Sequence, residues 1–308
     1  MLSSDSNWPT AASLLVSPDG QSQGSRALVK LLGVHTFATS VPPRSAESTP
    51  AALRRALEHY STWSFEDHRD LTDAVVVEDR GDVRAPDTEE GERELARELD
   101  GMFDNFWLLL GGDNALSWRA MSALARGHLF DWGLITLDAH FDMREGQSNH
   151  SALRQLLDEG LRGTNVVQVG LADFSHSAVH ARVARDAGVR IIARHELRRR
   201  SMTDVVSEAL EIAGAGGRPV YVDIDMDVCD LSVVPGCVAA VPGGLSADEL
   251  REFVRLVSAH PRVIALDVTE IDVECDAPDQ RTVRLGALVL LEALTGYLRR
   301  PAHLRSGL

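Results

Sequence analysis

The feature that most limits how this chain can fold is a regular exchange between short, mostly apolar, strand-like runs and longer stretches with helical spacing. The apolar runs cover 27–34, 106–112, 132–140, 165–171, 189–194, 219–227 and 262–270. Between them, apolar residues recur at three- and four-residue spacing over 49–60, 89–103, 150–160, 177–188, 202–215, 246–259 and 281–298. A strand that is apolar on both faces needs cover on both faces. Strands alternating with helices supply that cover as a parallel sheet between two helical layers. Helix starts are expected at Thr49 before Pro50, and at Ser246, where Glu249 completes a capping box.

Ligands in open parallel sheets sit beyond the carboxyl ends of the strands, and the polar residues of this chain gather there. The run 106–112 leads into Gly111-Gly112-Asp113-Asn114. The run 132–140 ends in Asp138, His140 and Asp142, spaced so that an extended chain would point all three to one side. The run 219–227 ends in Asp223, Asp225 and Asp227, and 262–270 in Asp267 and Glu270. Carboxylates crowded beside a buried sheet repel unless cations lie between them. Oxygen donors with one imidazole favour a hard or borderline divalent ion such as Mn²⁺ over thiolate-bound zinc. Two such clusters suggest two ions.

The 308 residues read as one domain spanning 26–308, preceded by a flexible leader, 1–25, rich in Ser, Gly, Asp and Pro. Three cysteines lack zinc-type spacing, and their odd count argues against a disulfide framework, which fits a reducing cytoplasm. A net charge of −15 without clustered Lys and Arg argues against nucleic acid, and no apolar run reaches membrane-spanning length. Cys229 reads as packing, Trp107, Trp118 and Trp132 as core or pocket wall, and His176, His180 and His195 as surface or helix residues.

Taken in order, these motifs resemble the ureohydrolase, or arginase-like, superfamily over about residues 27–298. "GGDN" stands where that family has Gly-Gly-Asp-His, "DAHFD" matches its Asp-Ala-His-x-Asp motif, and "DIDMDVCD" its second aspartate motif. "PGGLS" (242–246) and "DVTEID" (267–272) follow in place. The resemblance implies a three-layer α/β/α fold with a mostly parallel sheet and two Mn²⁺ per subunit. It places Asp138 and Asp223 between the ions, Asp142 on one, and His140 and Asp225 on the other. It casts Glu270 as the carboxylate that orients an amidine or guanidine nitrogen. The implied reaction is attack of a hydroxide held between the ions on a C=N carbon, with loss of an amine. Family members are commonly trimers or hexamers, so a homo-oligomer is expected, with a small-molecule amidine or guanidine as substrate.

Two departures matter. Asn114 replaces the family's histidine ligand, and an amide oxygen is the weaker donor, so the first ion is expected to bind more loosely. The loop after Asp142, "MREGQSNHSALRQLL", is shorter than in arginase. Within it, His150 is the candidate proton carrier, while Arg144, Asn149 and Arg154 are candidates for gripping the substrate, the arginines through a carboxylate. The stretches 144–178 and 269–294 are most similar to bacterial formimidoylglutamase-like members. The first expectation is therefore hydrolysis of N-formimidoyl-L-glutamate to formamide and L-glutamate, a step of histidine breakdown. The second is a urea-releasing amidinohydrolase of the agmatinase or guanidinobutyrase type, and the third a non-catalytic metal-binding homologue.

Overall fold

The computed structural model describes residues 7–18, 26–41, 48–100 and 105–305. In chain order its strands are β1 (Leu15–Val16), β2 (Ala27–Val34), β3 (Trp63–Ser64), β4 (Arg69–Asp70), β5 (Val75–Val83), β6 (Phe106–Leu110), β7 (Gly133–Leu137), β8 (Val166–Val169), β9 (Arg190–Ile192), β10 (Val220–Asp225) and β11 (Val263–Thr269). The helices are α1 (Thr49–Ala56), α2 (Glu89–Glu98), α3 (Ala115–Ala125), α4 (Ala152–Asp158), α5 (Ala178–Asp186), α6 (Arg194–Leu197), α7 (Met202–Ala213), α8 (Ala247–Ser258) and α9 (Arg281–Leu298). Nine strands form one parallel sheet in the order β1-β5-β2-β6-β11-β10-β7-β8-β9, and β3 and β4 make a separate antiparallel hairpin.

Successive strand residues point to opposite faces, and here each face has its own core. Phe106, Leu108 and Leu110 of β6, with Val220, Val222 and Ile224 of β10, pack on the side of α1, α7, α8 and α9. Trp107, Leu109, Leu134 and Tyr221 pack on the side of α2, α3, α4 and α5. The expected three-layer α/β/α arrangement is observed, and the Ser246–Glu249 capping box forms at the start of α8.

One expectation needs correction, and two further elements carry no sequence signal. Part of the supposed flexible leader is ordered. Ala11 and Leu14 are buried, and Leu15–Val16 adds an edge strand beside β5, because those apolar side chains complete the core between α1 and α9. The rest of that segment, 1–6 and 19–25, lies outside the described residues. Strand β5 is not among the apolar runs of the sequence, since Glu78, Asp79, Arg80 and Asp82 interrupt it. They are accommodated by pairing: Arg54 with Asp79 and Asp82, and Arg80 with Glu78 and Glu98. Helix α3 likewise lacks a sequence signal. It is buried almost all round, so it carries no polar stripe to reveal a helical period.

Candidate metal centre

Strands β6, β11, β10 and β7 are consecutive in the sheet, so the four polar strand ends share one edge. Asp223 stands in register with Asp267 on one side and Thr136 on the other. The three residues of "DAHFD" do not meet by strand alternation. β7 stops at Leu137, and Asp142 adopts a left-handed backbone with φ 51°. A turn, not an extended chain, brings Asp138, His140 and Asp142 together.

Asp138, Asp142, Asp223 and Asp225 are all buried. The Asp138 carboxyl is pushed up to about 7 by burial and by the charge of Asp227. Asp142, Asp223 and Asp225 are raised well above the ordinary carboxylate range, first by burial and then by the nearest carboxylate charges, Asp138 on Asp142, Asp267 on Asp223 and Asp227 on Asp225. For His140, burial favours the neutral ring. The Asp227 and Asp138 carboxylates outweigh it and hold the imidazole at about 11. Nδ1 of His140 lies 3.0 Å from Asp227 Oδ2 and 3.5 Å from Asp138 Oδ1. The potential ligand atoms of Asp138, His140 and Asp227 all lie within 4.8 Å of one another, close enough to hold one ion. Oδ1 of Asp223 is buried and meets no hydrogen-bond partner among the described residues. A buried carboxylate oxygen left this way carries a large desolvation cost, which a divalent cation would remove. The donors therefore fit a hard or borderline divalent ion.

Asn114 lies at the head of α3. Its amide Nδ2 donates to Asp142 Oδ2 at 2.5 Å, and its Oδ1 accepts from Ser117 Oγ at 2.8 Å. In this orientation the amide acts as a donor toward the acidic cluster. To ligate an ion it must turn over, with Ser117 then accepting. Glu270, at φ 66°, receives two N–H groups on Oε1, from the Asn114 backbone and from Asn149 Nδ2, each at 2.9 Å. The ring of His150 sits 6.1 Å from that of His140, with Nδ1 3.9 Å from Asp142 Oδ1 and Nε2 3.3 Å from the Val41 carbonyl. Burial holds His150 below its ordinary value.

The three substrate-grip candidates separate. Arg144 is exposed on the site loop, and its charge acts on His150. Arg154 turns away: Nε pairs with Asp158 at 3.0 Å, one turn along α4. The Asn149 amide is engaged at both ends, accepting from the Val41 N–H at 3.1 Å while donating to Glu270.

The fold brings in three residues to which the sequence by itself assigns no role, although Asp227 and Asp267 stand out in it as acidic strand ends. Asp227 lies past the end of β10, where the turn Met226–Val228 swings its carboxylate toward His140. Beneath the cluster, Asp267 Oδ2 accepts from Tyr221 at 2.5 Å and from Ser117 at 2.8 Å, and burial raises its carboxyl to about 6. His176, expected at the surface, packs its ring 4.5 Å from Phe141 and 6.2 Å from His140. Nothing local in the sequence marks it. Cys229 is fully buried, as expected of packing. A cavity of about 590 Å³ lined by Tyr60, Trp63, Phe65, Arg251, Arg255 and Glu292 touches none of these residues.

The sequence matches the Arginase family over residues 27–296. The chain belongs to the arginase family. It is 32% identical to the formimidoylglutamase of Bacillus subtilis over 302 residues, covering 94% of this chain and 92% of that one. The crystal structure of the Bacillus subtilis enzyme superposes with a TM-score of 0.86 at 29% identity, covering 96% and 94% of the two chains. A Trypanosoma cruzi formiminoglutamase crystallised with Mn²⁺ shares the fold, with a TM-score of 0.83 at 23% identity over 96% of this chain and all of that one. Among the described residues, no helix is long and apolar enough to cross a membrane.

Proposed function

We propose that this arginase-family chain is a manganese-dependent hydrolase of a linear amidine, acting on N-formimidoyl-L-glutamate to release formamide and L-glutamate. The observation that carries this reading is the gathering of Asp138, Asp142, Asp223 and Asp225, all buried, with the half-buried His140 at the ends of the adjacent strands β7 and β10, where the carboxylate charges repel one another. Support for the substrate comes from the name and coverage of the Bacillus subtilis relative.

Two Mn²⁺ ions would be held by these residues, with Asp227 beside His140 and with Asn114 as a weak donor on the Asp142 side. When bound, they would supply Lewis-acid charge and water of lowered pKa. The chain's own groups do the rest. Glu270, fixed through Oε1, presents a carboxylate to the cationic amidine nitrogens, where charge complementarity orients the C=N carbon. His150 stands where it can pass a proton to the departing amine. Arg144 is placed to pair with a substrate carboxylate at the mouth. Arg154, committed to Asp158, contributes to α4. The assembly is a homo-oligomer, as the family resemblance suggests.

The test is a substrate panel with the Mn²⁺-loaded protein: formimidoylglutamate, agmatine, guanidinobutyrate and arginine, scored for formamide or urea. Formamide from formimidoylglutamate is the expected result. Urea from a guanidino compound would replace the substrate assignment. No turnover of any of them would remove the hydrolytic reading.

A further inference from the structure

Residues 36–41 leave the end of β2 and cross the site edge as a strap. Its start is locked against the Gly111–Asn114 turn: the Asp113 N–H donates to the Thr36 carbonyl at 2.8 Å, and Thr36 Oγ1 donates to the Asp113 carbonyl at 2.9 Å. A Cβ at Gly112 would come within 1.9 Å of the Thr36 carbonyl oxygen, so only glycine permits this approach. Further along, the Phe37 and Ala38 N–H groups share Asp87 Oδ2, at 3.2 and 3.0 Å. Ser40 Oγ then donates to Oδ2 of the fully buried Asp113 at 2.5 Å. At its far end, the Val41 N–H donates to Asn149 Oδ1, and the Val41 carbonyl faces His150 Nε2.

These contacts converge on one atom. Oε1 of Glu270 accepts from the Asn114 N–H and from Asn149 Nδ2. The first donor follows directly after Asp113, which Ser40 holds. The second belongs to the side chain that Val41 holds. We infer that the strap is a positioning element for Glu270, and that Ser40 is its latch: by seating residues 36–41 it keeps both donors on Oε1 and so fixes where the other carboxylate oxygen points. This rests on the reading of Glu270 as the group that orients the substrate. Ser40 itself touches no reacting atom.

The experiment uses the Mn²⁺-loaded full chain. Ser40→Ala should lower kcat/KM by about tenfold, the scale of one lost hydrogen bond to a carboxylate, and Ser40→Thr should recover most of it. In a Glu270→Gln background, Ser40→Ala should change kcat/KM by less than about twofold, because a residue acting through another loses its effect once that partner is gone. Effects that multiply in the double variant would show Ser40 to be merely structural and overturn the inference. A second readout is independent of activity. Amide hydrogen exchange in Ser40→Ala should speed up in the segments 112–116 and 148–152 together, and unchanged exchange in both would also overturn it. If the wild-type protein hydrolyses no amidine or guanidine, the functional reading fails, and the exchange measurement alone decides whether the strap holds those segments.

Discussion

Without a divalent ion among its buried carboxylates, this protein should lose stability as pH rises through neutrality, the reverse of what structural carboxylates usually confer. Asp138 stands at about 7 instead of 3.8 because of burial and the Asp227 charge. Between those values the metal-free folded chain keeps a proton that the unfolded chain has released. The associated stability is therefore complete below pH 3.8 and lost as pH climbs to 7. From about pH 5.5 to 7 that is roughly 1.5 units, or about 2 kcal/mol from Asp138 alone. Asp142, Asp223 and Asp225 are shifted in the same direction and add to the loss. His140, held at about 11 by Asp227 and Asp138 against its burial, also loses its contribution as pH rises, over 6.5 to 11. His176 opposes them: burial lowers it to about 4, so it gains stability between 4 and 6.5, but it is only half-buried and counts for less. At about 2 °C per kcal/mol for a chain of this size, the melting temperature of the chelated protein should drop by about 5 °C or more between pH 5.5 and 8. Millimolar Mn²⁺ should reverse the drop at pH 8 and do little at pH 5.5, where protons already occupy the carboxylates. Thermal melts of chelated and Mn²⁺-loaded protein across that range make the comparison. A chelated protein that melts higher at pH 8 than at 5.5 and ignores manganese would refute the reasoning.

Three further outcomes are expected. Calorimetric titration should find two Mn²⁺ sites of unequal affinity, and Asn114→His should tighten the weaker one by about tenfold, as an imidazole nitrogen replaces an amide; an unchanged isotherm would count against Asn114 as the weak ligand. Arg144→Ala should raise KM for formimidoylglutamate by about tenfold, as expected for loss of an arginine–carboxylate pair, while Arg154→Ala stays within about twofold; steady-state kinetics on both variants would expose a reversed order. Tyr221→Phe should cost about 1–2 kcal/mol in denaturant unfolding, since it leaves the buried Asp267 short of one donor; a stability equal to wild type would mean that the hydroxyl is dispensable there.

Local pattern in the amino-acid sequence is enough to place the layers. Apolar runs and helical spacing follow from which residues must avoid water, a property each segment carries by itself, and so the strands from β6 to β11 and most of the long helices are legible in it. The acidic strand ends are legible for the same reason: charged groups directly after a buried strand stand out. Tertiary structure decided the rest. Neither β5, whose charges are satisfied by Arg54 and Arg80, nor the all-round buried α3 shows a period, because their solubility is settled by neighbours distant along the chain. The direction of a side chain beyond a strand end depends on the turn that follows it. Asp142 in a left-handed conformation, Asp227 turned back toward His140, and a strap from β2 reaching the donors of Glu270 are contacts between segments, and strand alternation has no bearing on them.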